Sequence, residues 1–204
     1  DIISQDVGVA SIILKTINSP LYGLSRSISD IHKSVRYIGL QGINSLVTNT
    51  LIKRSFDQQD CSIALEEFWD SATHIANTCV HIGKTIKEKT SKDKLFSLGL
   101  FHDCGIPIMA MKYSDYNDTY QLAYSTPDKT LPITEDQAYG VNHATIGYYV
   151  ASSWRLPKDI CELILIHHDR DFLKMNNPRG QEVYYAILKL AENLVHNHKH
   201  CRDC

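Results

Sequence analysis

Hydrophobic residues recur along this chain with the 3.6-residue period of an amphipathic α-helix. No stretch alternates apolar and polar positions on either side of a two-residue hairpin turn, as paired β-strands would. The pattern therefore predicts an all-α protein. The apolar faces consist of Val9, Ala10, Ile13 and Ile17; then Phe68, Ala72, Ile75, Ala76, Cys79 and Ile82; then Val183, Ala186, Ile187, Leu190, Leu194 and Val195.

Proline, glycine and capping residues predict where the helices begin and end. Pro20 ends the first helix, because proline disfavours helical geometry in the residue before it. Gly39 closes a helix from about Asp30 as a left-handed cap. Thr134 is the N-cap of a capping box with Gln137, and Pro157 is the first residue of another helix. The polar stretches 126–132 and 171–180 are predicted loops.

The character of the chain changes near residue 58, where short helices give way to longer ones that carry most of the histidines. We expect one domain over residues 1–204, with an N-terminal helical subdomain at 1–57 and a helical core at 58–204. The first segment alone is too small to bury a generous core, so the two parts are expected to pack together.

Composition excludes several classes of protein. The chain has 204 residues, 43% of them hydrophobic and 22% charged, which is ordinary for a globular domain. Its 21 basic and 23 acidic residues give a net charge of −2, so no basic field for nucleic acid is expected. There is no 18-residue apolar run and no signal-peptide pattern. The six cysteines are interpreted as reduced thiols, and the protein as cytoplasmic.

Ten histidines are the unusual feature of the composition. His102 precedes Asp103 in an apolar stretch, His143 lies in a predicted helix, and His167 continues an apolar face and should point inward, with His168 beside it. Imidazole and carboxylate groups could hold a metal ion together. A buried His–Asp hydrogen bond that joins two helices is the alternative. No phosphate-binding glycine loop and no serine-hydrolase motif is present.

Two further patterns carry alternatives of their own. His196, His198 and His200 precede Cys201 and Cys204 at the end of the chain, which is either a zinc site or a solvated helix end. A stripe of tyrosines on one helix is predicted to be packing rather than a base-stacking surface; it consists of Tyr113, Tyr116, Tyr120 and Tyr124.

Three stretches, in this order, resemble the HDOD domain, a bacterial signalling relative of the HD phosphohydrolases. They are NSPLYG with ISDIHKSVRYIG (residues 18–39), FWDSATHIA with LGLFHDCG (68–105), and YGVNHATIG with WRLP and the His167-His168 pair (139–168). The resemblance implies an HD-domain-like helical bundle with a smaller N-terminal helical subdomain. It also implies a cytoplasmic bacterial signalling module whose partners are signalling proteins or domains. The charge balance and the lack of a long apolar run argue against nucleic acid and a membrane as partners.

The sequence departs from the active enzymes of this superfamily at several positions. Ser71 occupies the place of their first metal-binding His, with His74 three residues further on, and Glu192 replaces a late Asp. Ile106 replaces the Lys of the related cyclic-dinucleotide phosphodiesterases, and the GYP tripeptide after the His pair is absent. These departures predict a non-catalytic interaction module without catalytic residues.

The metal-ligand candidates that remain are His102, Asp103, His143, His167 and His168. We expect them to be an inherited polar cluster that fixes the helices, with no cofactor. The alternative is that they hold iron, manganese or zinc in a phosphohydrolase acting on a nucleotide or cyclic dinucleotide. Binding of a small nucleotide without hydrolysis is a third interpretation.

Overall fold

The computed structural model describes residues 13–14, 16–18, 24, 27–125, 130–174 and 179–200. No residue in these ranges belongs to a β-strand, and the all-α prediction is confirmed. The chain divides into two compact units, Asp1–Ser55 and Phe56–Cys204. No helix among the described residues is both long enough and apolar enough to span a bilayer.

The N-terminal unit contains helix α1 (Ile31–Arg54), which is kinked at Gly39 (φ 79°, ψ 165°). Gly39 has the positive φ that the sequence predicted and interrupts the helix there; a second helical stretch follows directly after it. Ile13 and Ile43 are buried and pack against partly buried valine and isoleucine side chains. The Asn18 side chain donates to the Leu14 carbonyl and closes the preceding helical segment; Val9, Ala10 and Pro20 lie outside the described residues.

Eight α-helices are described in the C-terminal unit. Two 3₁₀ turns accompany them: Gln58–Asp60 precedes the first helix, and Phe172–Lys174 precedes the last. The helices are α2 (Leu65–Thr85), α3 (Lys92–Phe101), α4 (Gly105–Lys112), α5 (Tyr116–Ser125), α6 (Leu131–Tyr139), α7 (His143–Ser153), α8 (Lys158–Ile166) and α9 (Arg179–His200).

The apolar face predicted for α2 forms part of the core of this unit. Ala72, Ile75, Ala76 and Cys79 are buried. Helix α3 approaches this face closely, since a Cβ on Gly99 would lie 2.6 Å from the Cα of Ala76. The glycine thus allows two backbones to come together behind the segment that carries His102 and Asp103.

Several predicted helix ends were wrong. Helix α6 begins at Leu131 with Pro132 in its first turn, where the missing N–H costs nothing. Thr134 is therefore not an N-cap; it is buried inside the helix, and its hydroxyl donates to the Thr130 carbonyl. Pro157 is the N-cap residue of α8, one position before the first helical residue. The predicted loop at 171–180 contains a 3₁₀ turn and the first residues of α9.

The buried face of α9 differs in part from the predicted one. Ile187, Leu188 and Ala191 are buried, whereas Leu190 and Leu194 are 49% and 51% exposed. The sequence contains apolar residues on two adjoining stripes of this helix, and periodicity alone did not separate the stripe that packs from the stripe that faces outward.

Candidate metal centre

The candidate site is built from helix ends that meet around Asp103. A turn between α3 and α4 contains His102, Asp103 and Cys104. The prediction that the His102–Asp103 pair lies within a helix was therefore wrong. His143 is the first residue of α7, and the side chain of Asn142 caps that helix by accepting from the Thr145 N–H. His167 and His168 directly follow α8.

Gly105 allows α4 and α7 to touch through their backbones. A Cβ built on Gly105 would lie only 2.0 Å from the carbonyl oxygen of His143, closer than any real contact. Because glycine has no Cβ, the turn that carries Asp103 can approach the start of α7. This contact brings the carboxylate of Asp103 to the ring of His143.

One oxygen of Asp103 is surrounded by imidazole nitrogens. Asp103 Oδ1 lies 3.0 Å from His167 Nε2 and 3.4 Å from His143 Nε2. His143 Nε2 is in turn 2.9 Å from His168 Nε2. One potential ligand atom from each of these four residues lies within 4.8 Å of all the others. Four of the five predicted candidates therefore converge.

The opposite nitrogen of three imidazoles is anchored to a hydrogen-bond acceptor. His102 Nδ1 donates to the Gly99 carbonyl at 2.9 Å, and His167 Nδ1 donates to the Ile164 carbonyl at 2.6 Å. His143 Nδ1 donates to Glu135 Oε2 at 2.6 Å. A neutral imidazole whose Nδ1 is protonated carries a lone pair on Nε2. These anchors therefore direct three Nε2 lone pairs towards Asp103.

Lone pairs that face a carboxylate require a cation between them, either a proton or a metal ion. Burial alone would lower the pKa of His143, but hydrogen bonds to Asp103 and Glu135 raise it to about 9. Burial lowers the pKa of His167. Burial also lowers the pKa of His168, and the neighbouring imidazoles of His167 and His143 lower it further. Burial would raise the pKa of Asp103, but the three histidines around it hold that pKa well below its usual range.

The donor set fits a transition-metal ion. Zinc-bound nitrogen and oxygen ligands at about 2.1 Å are about 3.4 Å apart in tetrahedral coordination. The three separations given above, 3.0, 3.4 and 2.9 Å, are close to this value. Three imidazoles with one carboxylate suit zinc or iron better than the hard cations magnesium and calcium. Donation of the opposite Nδ1–H to a carbonyl or carboxylate is the usual arrangement of a metal-binding histidine.

His102 contacts the other oxygen of Asp103 and also contacts Glu192. His102 Nε2 is 3.2 Å from Asp103 Oδ2 and 3.4 Å from Glu192 Oε1. Lys189 Nζ donates to the second oxygen of Glu192 at 2.7 Å. His102 is thus the predicted ligand that stands apart from the group of four, next to a carboxylate that already has an ammonium partner.

The structure also describes positions at which the sequence differs from the active enzymes. Ser71 is half-buried on α2, and His74, three residues further along the same helix, is exposed. His74 does not belong to the group of four ligand residues. The side chains of His198 and His200, together with Cys201 and Cys204, lie outside the described residues, and His196 is exposed.

Two residues of the site were not found from the sequence. Glu135 and Tyr116 are both fully buried, and the Tyr116 hydroxyl donates to Glu135 Oε1. Glu135 lies eight residues before His143, and the chain reverses between them at Gly140 (φ 71°). The remaining tyrosines pack as predicted where they are described; Tyr113, for example, stacks on Tyr139 with ring centroids 4.1 Å apart.

The fold and the His–Asp cluster define an HD-like all-α domain. The model of the HDOD domain family matches residues 1–170, and the chain belongs to this family. An uncharacterized protein of Treponema pallidum (strain Nichols) is 24% identical over 189 residues, which is 92% of this chain and 35% of that protein.

Three solved bacterial structures share this fold. An HDOD domain protein of unknown function from Geobacter sulfurreducens has a TM-score of 0.75 and 23% identity, over 95% of this chain and 63% of that one. A proposed metal-dependent phosphohydrolase from Shewanella amazonensis SB2B has a TM-score of 0.62 and 21% identity, over 93% and 65%. A proposed signal transduction protein from Marinobacter aquaeolei VT8 has a TM-score of 0.73 and 16% identity, over 97% of this chain and 44% of that one. The chain thus spans about a third of the curated relative's length and less than two thirds of the Geobacter chain.

Proposed function

We propose that this chain is a non-catalytic, cytoplasmic signalling module of the HDOD type in which the Asp103 cluster holds one transition-metal ion. The observation that carries the proposal is the convergence of Asp103, His143, His167 and His168, whose ligand atoms all lie within 4.8 Å of one another. The ion would tie the α3–α4 turn to the ends of α7 and α8. The partners of the module are signalling proteins or domains.

The number of protein ligands supports a structural ion. Structural zinc sites are closed by four protein ligands, whereas catalytic sites have about three and keep one position for water. On the Oδ2 side of Asp103, Glu192 contacts His102 and is paired with Lys189. Ser71, at the sequence position of the first metal-binding His, supplies no imidazole. A second ion with a full set of ligands therefore has less support than the first.

The test is the metal content and the phosphodiesterase activity of the untagged full chain. We expect about one zinc or iron ion per chain, loss of that ion in His167→Gln, and its retention in the matched variant His81→Gln, since His81 is exposed on α2. We expect no hydrolysis of cyclic dinucleotides when manganese or iron is added. Wild-type protein without a metal would contradict the metal assignment.

A metal-dependent phosphohydrolase is the second candidate, and one observation favours it. His168 is exposed and the side chain of Asp103 is 27% exposed, so solvent reaches the cluster. If His168 left the ion, three protein ligands and an open position would remain, as in hydrolytic metal sites. Turnover of a nucleotide or cyclic dinucleotide that disappears in Asp103→Asn would establish this candidate and overturn the non-catalytic proposal.

A further inference from the structure

Glu135 is a buried carboxylate with hydrogen-bond donors on both oxygens. None of its surface is exposed. The Tyr116 hydroxyl donates to Oε1. Oε2 accepts the backbone N–H of His143 at 2.9 Å and the Nδ1–H of the same residue at 2.6 Å. Three donors thus point at the two oxygens of one side chain, an arrangement that suits the acceptor-only carboxylate form.

The local backbone explains how this contact forms. Helix α6 ends at Gly140, whose positive φ of 71° reverses the chain. Asn142 then caps α7, so His143 begins the next helix with its backbone N–H unpaired by that helix. Glu135 accepts this N–H and the ring N–H together, and therefore fixes both the start of α7 and the orientation of the imidazole.

Glu135 differs from the other groups that anchor the histidine rings. His102 and His167 donate Nδ1–H to backbone carbonyls three residues earlier in the chain. Among the hydrogen bonds described for the cluster, the anchor of His143 is the one supplied by a charged side chain. A carboxylate anchor increases the electron density on the ring, and hence its strength as a ligand, more than a neutral carbonyl does.

We propose that Glu135 is a positioning residue that sets the metal affinity of the site through His143, and that Tyr116 weakens this effect by donating to the other oxygen. The proposal rests on the proposed metal site. Glu135 keeps the proton of His143 on Nδ1 and leaves Nε2 for the ion. Burial and Glu135 raise the pKa of Tyr116, so its hydroxyl remains a donor.

Substitutions of Glu135 and of Tyr116 are expected to change the zinc affinity in opposite directions. Glu135→Gln keeps the shape but removes the charge, so we expect zinc affinity of the full chain to fall about 10- to 100-fold in a competition titration with a chelator. Tyr116→Phe removes the donor on Oε1 and leaves more charge on Oε2. Its zinc affinity should exceed that of the wild type.

The resonance of the His143 Nδ1–H, measured by ¹⁵N-edited NMR of the imidazoles, reports on positioning directly. It should lie far downfield in the wild type, move upfield in Glu135→Gln and move further downfield in Tyr116→Phe, because the strength of the acceptor decreases in the first variant and increases in the second. A purely structural role for Glu135 would not produce shifts of opposite sign.

A double-mutant cycle separates an effect through His143 from general loosening of the fold. In a His143→Gln background, Glu135→Gln should cause no further loss of zinc affinity. An equal loss in both backgrounds would overturn the proposal, as would wild-type affinity in Glu135→Gln with an unchanged resonance. If Glu135→Gln does not fold, an unshifted resonance in Tyr116→Phe overturns it.

Failure of the metal site itself would be recognised separately. If wild-type protein binds no zinc, the proposed function is wrong. The Nδ1–H resonance is measured in metal-free protein as well, and its opposite shifts in the two variants would still establish that Glu135 positions His143, with the consequence for metal affinity withdrawn.

Discussion

At the residue scale, the cluster depends on which nitrogen of each histidine carries the proton. The anchors of His102, His143 and His167 all act on Nδ1, which leaves every Nε2 directed at Asp103. The sequence identified these residues, and the inward direction of His167 followed from its place on the apolar face of α8. The anchors could not be predicted, because each depends on a turn or a contact between helices.

Gly105 gives a prediction about close packing at the site. Gly105→Ala should destabilise the protein by about 1–3 kcal/mol and weaken metal binding, because the new Cβ would collide with the His143 carbonyl. Urea unfolding and metal titration measure the two effects.

Gly180 is the matched control for this substitution. It lies in α9, where no atom from another described part of the chain comes within 4 Å of an added Cβ, so Gly180→Ala should be neutral or stabilise by up to about 1 kcal/mol. A Gly105→Ala protein as stable as the Gly180→Ala protein would show that the backbone contact between α4 and α7 is not tight.

The cysteines give a prediction about reactivity and pH. Burial, with the nearby Glu192, raises the pKa of the Cys79 thiol to about 12, whereas Cys61 is only partly buried. Burial also raises the pKa of the Cys61 thiol. Because the thiolate is the reacting form, iodoacetamide should label Cys61 at a rate that still rises above about pH 9, and should leave Cys79 unlabelled. Peptide mapping by mass spectrometry measures this, and rapid native labelling of Cys79 would contradict the packing of α2 against α3.

At the scale of elements, the sequence predicted the helices better than their ends. The face of α2 was predicted correctly because its apolar residues form a single stripe. The stripe of α9 was partly wrong, since Leu190 and Leu194 are exposed. The start of α6 was missed because Thr134 fits a capping box, while the actual N-cap, Thr130, lies four residues earlier and Pro132 occupies the first turn of the helix.

The end of α7 gives a prediction about backbone strain. Arg155 has a φ of 58° and occupies the left-handed position of a Schellman motif, in which the Leu156 N–H donates to the Ala151 carbonyl and the Arg155 N–H to the Ser152 carbonyl. Glycine adopts this conformation without strain. Arg155→Gly should therefore stabilise the protein by up to about 1 kcal/mol.

The opposite substitution at this position is the control. Arg155→Val should destabilise by more than about 1 kcal/mol, because a β-branched residue is strained at positive φ. Thermal unfolding of the two variants beside the wild type measures the difference, and a Val variant at least as stable as the Gly variant would contradict the backbone conformation assigned to Arg155.

At the scale of the whole molecule, an HDOD domain presents a His–Asp cluster whose two sides have different chemistry. Oδ1 of Asp103 faces an imidazole set suited to one metal ion, and Oδ2 faces His102 next to Glu192, which is paired with Lys189. The resemblance read from the sequence led to the family and to all the ligand candidates. It could not assign them to two sides, because that division depends on how the α3–α4 turn presents the two oxygens.

The most direct test of this account is an anomalous diffraction map, collected at the absorption edge of the metal found in untagged full-length crystals. We predict one strong peak within bonding distance of Asp103 Oδ1 and of Nε2 of His143, His167 and His168. No peak at this position, or a peak only at His102 and Glu192 or in the histidine- and cysteine-containing C-terminal segment, would contradict the central claim.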